Sequence, residues 1–350
     1  MTIPFFTMTA DDTTRANGVN AATRGMGTDE PSSVILRVSI DATAVVTPDV
    51  FCAAVQTLVD RLRDVSVVGA VLHFSPMSDT GSHRSTDCDA SIALAAADNT
   101  VIDAATKAVI ASAVDLAQDV LNNALPTQSA LGIFETALAS QVLLRQLETQ
   151  GKPVVAVCEQ ALSDRCFALA LCCHYRIGGK LASHCLADSA ANVMPFGLIA
   201  RSVHLAGMLP VAGWLAEGTL LTTASALEMG LFDAQCNDGA DRERAVSVWM
   251  TAQLNMAFDT LTSKHTNGQP AAQPVTQPWD QKGFAVPGGG LYARAGNYQR
   301  LALLTAHAAA AQDARRAVRQ AILACVAEVS LLKIDAAVKV ESRRYALLTT

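Results

Sequence analysis

The stretch Lys152–Gly179, KPVVAVCEQALSDRCFALALCCHYRIGG, decides how this chain is read. Gly151, Lys152 and Pro153 end whatever precedes them, and Val154 to Cys158 is an unbroken apolar run of strand length. Ser163, Asp164 and Arg165 then make a polar corner, and Cys166 to Cys173 is apolar enough for a buried helix. A strand, a polar turn and an apolar helix in that order is how α/β enzymes often present a catalytic turn. The corner is oddly charged for such a site, so it is either a working active site or the relic of one.

Outward from this stretch the same alternation continues. Upstream, Val34 to Ile40 and Val67 to Phe74 read as strands rich in β-branched residues. Between them Thr47, Pro48 and Asp49 open a helix with Thr47 as N-cap, and Val50, Ala53, Ala54, Leu58 and Leu62 form its apolar face. Leu131 to Leu147 is a second amphipathic helix. Strands alternating with helices imply a sheet covered on at least one face. Downstream the pattern turns helical over Phe196–Met208, Val211–Leu221, Ala224–Met229 and Arg242–Ser263. A stretch rich in Pro, Gln and Gly follows, and beyond it Leu301–Leu332 and Asp335–Leu348 read as two helices. The expected domains are a flexible tail over 1–33, an α/β domain over 34–265, a linker over 266–299 and a helical extension over 300–350.

The bulk numbers set limits. The chain has 350 residues, of which 51% are hydrophobic, so a large core is within reach. A net charge of -6 argues against a nucleic-acid surface, which needs clustered Lys and Arg. No apolar run reaches the roughly 18 residues of a membrane span. Nine cysteines lie scattered without paired metal-ligand spacing and read as reduced thiols, so neither metal nor cofactor is expected.

Lys152–Gly179 resembles the segment of the enoyl-CoA hydratase/isomerase (crotonase) family in which a Lys-Pro-Val-Val strand leads into a triple-glycine turn and then a helix with a glutamate. TTASALEMGLFDA, Thr222 to Ala234, looks like the family's helix and turn ending in Gly-Leu-Val. QPWDQKGFAVPGGG (Gln277–Gly290), AILACVAE (Ala321–Glu328) and VESRRYALL (Val340–Leu348) look like the connection between the hydratase and dehydrogenase parts of multifunctional β-oxidation proteins. The resemblance implies an α/β fold with a crotonase-like ββα spiral core and a C-terminal helical extension. A mitochondrial matrix or bacterial cytoplasmic location would suit that family.

Family chemistry needs two backbone N–H donors for the thioester oxygen and one or two carboxylates to move protons. By the resemblance, the triple glycine falls on Asp164, Arg165 and Cys166, so the Arg165 N–H stands at an oxyanion-hole position. The first catalytic glutamate falls on Ala168 and the second on Asp188, which makes Asp188 the candidate acid. The glycine-rich stretch after it falls on Asn192 to Leu198, where only Gly197 is glycine. The other donor motif corresponds to Ser75–Ser91, whose sequence does not match it. Ala168 has no proton to give, and losing a general acid or base costs about 100- to 10,000-fold. Asp164 in the first turn is expected to cap the helix and oppose an enolate.

Other side chains have plainer readings. Cys166, Cys172, Cys173 and Cys185 read as core filling. His174 and His184 bracket a strand and read as structural residues, while His83, Asp87 and Asp89 read as a solvated loop. Trp279 is expected to anchor the linker. Arg315, Arg316, Arg319, Glu341, Arg343 and Arg344 are expected on solvated helix faces. Two functional classes result. One is a catalytically degenerate crotonase-fold subunit of a larger protein assembly, binding other subunits, as homo- or hetero-oligomer, or acyl-CoA, with Ile322, Val326 and Val329 as partner surface. The other is an active enoyl-CoA hydratase/isomerase using Asp188.

Overall fold

The computed structural model describes residues 2–3, 6–11, 34–41, 48–75, 129–180, 182–184, 197–263, 275–312 and 315–349. The first strands are β1 (Thr2–Ile3), β2 (Phe6–Asp11), β3 (Val34–Asp41) and β4 (Val67–Ser75), with α1 (Pro48–Arg63) between the last two. Helix α2 (Ala130–Glu148) leads into β5 (Val154–Cys158). The short β6 (Ala161–Leu162) then precedes α3 (Asp164–Leu171), followed by β7 (Tyr175–Gly178) and β8 (Ser183–His184). Two helices follow, α4 (Ile199–Ala206) and α5 (Met208–Glu217). Next come β9 (Leu221–Thr222), α6 (Thr223–Glu228), β10 (Ala234–Gln235) and α7 (Gly239–Ser263). A single 3-10 turn at Pro278–Asp280 leads to α8 (Ala295–Ala310), α9 (Arg316–Val329) and α10 (Ile334–Thr349).

The seven-stranded sheet runs β1-β2-β3-β4-β5-β7-β10 and is parallel from β3 onward. A small second sheet, β6-β8-β9, sits beyond the end of β5. Alternation along the strands splits the interior in two, because successive side chains point to opposite faces. Val71, Val155, Val157 and Ile177 face Val246 and Met250 of α7. Leu72, Val154, Ala156 and Cys158 face the other way, into the main core shared with α1, α3 and the C-terminal helices. This is an α/β architecture with a parallel sheet, helices and a C-terminal helical extension.

Several expectations change. Within the segment expected as a flexible tail, β1 and β2 form strands, and β2 pairs antiparallel with β3 from Phe6↔Ile40 to Asp11↔Ile35. The open edge of β3 supplies the backbone partners that a tail would lack. The two C-terminal helices are three, because Ala311 and Gln312 leave the helical conformation. In the linker, Gln277 is buried and its amide donates to Cys172 O at 2.7 Å, while Trp279 lies edge-on to His204. The apolar stripe expected to meet a partner is already covered: Ile322, Val326 and Val329 are fully buried inside the chain. Glu341, expected on a solvated face, is also fully buried.

Candidate functional site

The polar corner lies where β6 enters α3. Ser163, with extended backbone, is the N-cap, and its hydroxyl faces the Cys166 amide. Asp164, the first residue of the helix, therefore does not serve as the cap. Its carboxylate is buried and its Oδ1 lies 3.1 Å from Nε2 of His184. His184 Nδ1 is 2.9 Å from Leu162 O, and a carbonyl can only accept, so that nitrogen carries a proton. The imidazole is stacked on Phe167 at 4.5 Å and meets Trp214 edge-on. Both members of the pair are closed off from solvent, at 1% and 3% side-chain exposure.

One helical turn further, Ala168, where the family resemblance would put the first glutamate, is 1% exposed. A Cβ placed on Gly197 would come within 3.1 Å of the Ala168 Cβ, with Gln141 and Leu144 also near. Gly197 has φ +80°, a conformation that costs little only for glycine. The structure thus brings together two positions that the sequence singled out, Ala168 and Gly197, and packs them methyl to backbone. Arg165 is partly exposed beside the corner. Asp188, Cys185, Asn192–Phe196 and residues 76–91, with His83, Asp87 and Asp89 among them, lie outside the described residues.

A buried ionic cluster beside Gly197 has no counterpart in the sequence reading. Arg201 of α4 is fully buried and donates to Glu148 Oε1 at 2.5 Å, Gln141 Oε1 at 2.5 Å and Gly197 O at 2.9 Å. Arg145 joins Glu148 to Asp280 in the linker and Asp335 in α10. Glu341 of α10 accepts from the first amides of α4. Burial pushes the Glu341 carboxyl up, while the amides and Arg201 act against that. Spacing gave one available signal: Gln141, Arg145 and Glu148 recur at helical intervals on a face otherwise apolar.

His174 is satisfied in one tautomer: Nδ1 accepts from Val154 N and Nε2 donates to Glu148 O, each at 3.2 Å. Burial lowers it to about 4, with the Glu148 backbone bond acting in the opposite direction. Cys166, Cys172 and Cys173 are buried, and burial pushes the Cys172 and Cys173 thiols up, away from the reactive thiolate. No group of His, Cys, Asp and Glu able to hold a metal occurs among the described residues. No helix among them is long and apolar enough to cross a membrane.

No family model matches the chain, and no curated protein aligns with it. Solved structures do. An enoyl-CoA hydratase from Bacillus anthracis is 12% identical, with a TM-score of 0.42 over 67% of this chain and 81% of its own. A protein assigned as an enoyl-CoA hydratase/isomerase (crotonase) from Legionella pneumophila is 12% identical, with a TM-score of 0.45 over 79% and 88%. One assigned as an enoyl-CoA hydratase from Thermobifida fusca, in complex with CoA, is 16% identical, with a TM-score of 0.41 over 67% and 83%. All three TM-scores lie below 0.5 and all three identities below 20%, so these likenesses assign neither family nor activity to this chain.

Proposed function

We propose that this chain is a catalytically degenerate crotonase-fold protein, a structural or acyl-CoA-binding subunit of a larger protein assembly. The observation that carries this reading is the closure at Ala168. Where hydratase chemistry calls for a carboxylate facing substrate, a methyl group lies against the backbone of Gly197 at 1% exposure. The corner adds a second obstacle. Asp164 places a buried carboxylate in the first turn of α3, where the helix would otherwise stabilise a developing enolate. With the α9 stripe buried, partner surface falls instead to the exposed aromatic pair Tyr292 and Tyr298, at 72% and 57% exposure.

The test is crotonyl-CoA hydration by the purified protein, with thermal stabilisation by acetoacetyl-CoA measured on the same sample. No turnover is expected. A stabilisation would identify the acyl-CoA-binding form of this reading, and its absence the purely structural one. Hydration that disappears in Asp188→Ala would overturn the proposal and make Asp188 the catalytic acid.

A further inference from the structure

Between the start of α5, the turn at Pro287–Gly289 and one flank of α8 lies a cleft of about 850 Å³. That is within the range of small-molecule sites. It shares no residue with the corner around Asp164 and Ala168. Met208 and Leu209 line it from α5, and Leu303 and Leu304 from α8. The third wall is held in place: the Asn297 side-chain amide lies within 3.0–3.3 Å of the carbonyls of Gly288, Gly289 and Gly290. A wall fixed before binding lowers the ordering cost of taking a ligand.

The polar lining is one-signed. Arg294, Arg300 and His307 reach the cleft, and no Asp or Glu lines it. In this acidic chain arginines commonly meet acids, as Arg37 does with Glu243, Arg176 with Asp233 and Arg242 with Glu159. Among the described residues Arg294 and Arg300 meet no carboxylate. Two guanidinium forks at the rim of an apolar cleft match an oxyanion attached to a hydrocarbon chain.

We propose that this cleft binds an amphipathic anion, an aliphatic chain ending in a carboxylate. The chain lies along Met208, Leu209, Leu303 and Leu304, and the carboxylate meets Arg294 and Arg300. The site is independent of the acyl-CoA chemistry considered above and survives either outcome there.

Isothermal titration of the full chain with dodecanoate, dodecanol and acetate tests it. Dodecanoate binds, and each fragment-like control, lacking either charge or chain, binds at least about tenfold more weakly, a difference of about 1.4 kcal/mol. In R294E/R300E, where both altered side chains are exposed and folding is checked by circular dichroism, dodecanoate affinity falls by about tenfold or more while dodecanol is unaffected. Absence of dodecanoate binding, or binding that R294E/R300E leaves unchanged, would overturn the assignment.

Discussion

The Glu341 carboxylate accepts the Ile199 amide proton at 2.9 Å, so that α10 caps a helix that begins 142 residues earlier in the chain. Its second oxygen takes the Ala200 amide at 3.1 Å. Leu198, at the N-cap position of α4, makes no side-chain cap, and the carboxylate from α10 supplies what the local sequence lacks. Removing it leaves buried donors unpaired next to a buried Arg201. Glu341→Ala is expected to lower stability by about 3 kcal/mol in urea unfolding, with Glu341→Gln losing less because one amide oxygen still accepts.

The Asp164–His184 pair predicts strong coupling. Asp164→Ala leaves the His184 ring in an apolar pocket without that partner, at a cost of about 3 kcal/mol. In Asp164→Ala/His184→Phe the ring stacked on Phe167 is kept and both polar members are gone, so much of the loss should return. Strict additivity of the two single changes in thermal unfolding would show that the 3.1 Å contact contributes nothing.

How much of this was legible in the sequence divides along physical lines. Val154–Cys158 could be read to the residue because an apolar run between a Gly-Lys-Pro break and a polar corner admits little else. Leu131–Leu147 was nearly as clear, observed as Ala130–Glu148, since its apolar spacing is local. Asp164 and His184 are each ordinary in their own neighbourhoods, and only the β6–β8 pairing, with Leu162 opposite His184, brings the imidazole under the corner. Glu341 fails for the same reason, being one charge on a helix with other charges, distinguished solely by what it meets 142 residues away.

Acid should weaken the fold through His174. An unfolded histidine takes up a proton near pH 6.5, whereas the folded one, lowered by burial, refuses it down to about pH 4. The unfolded state therefore binds more protons in that window, and stability present above pH 6.5 is lost as pH falls toward 4, by up to about 3 kcal/mol. His73 and His204, also lowered by burial, act in the same direction. Glu341 opposes them, because its raised folded value makes its contribution fall as pH rises above 4.5. Urea midpoints of His174→Gln and the parent chain, compared at each pH, isolate the histidine; the difference between them should narrow below pH 6.5.

Gly197 and Ala168 give the most direct test of closure. Gly197→Ala combines a φ of +80° with a Cβ at 3.1 Å from Ala168, and should cost about 1–3 kcal/mol. Ala168→Gly would relieve the contact, so the double variant should recover part of that loss. Ala168→Glu carries the argument into function, since it returns a carboxylate to the position where the family resemblance places one. With Gly197 close to that methyl and the site at 1% exposure, the larger charged side chain has little room. The variant is expected to unfold at lower temperature and to hydrate no crotonyl-CoA. A folded Ala168→Glu protein that gains hydration would mean that the position faces substrate, and that only the missing carboxylate separates this chain from an active enzyme.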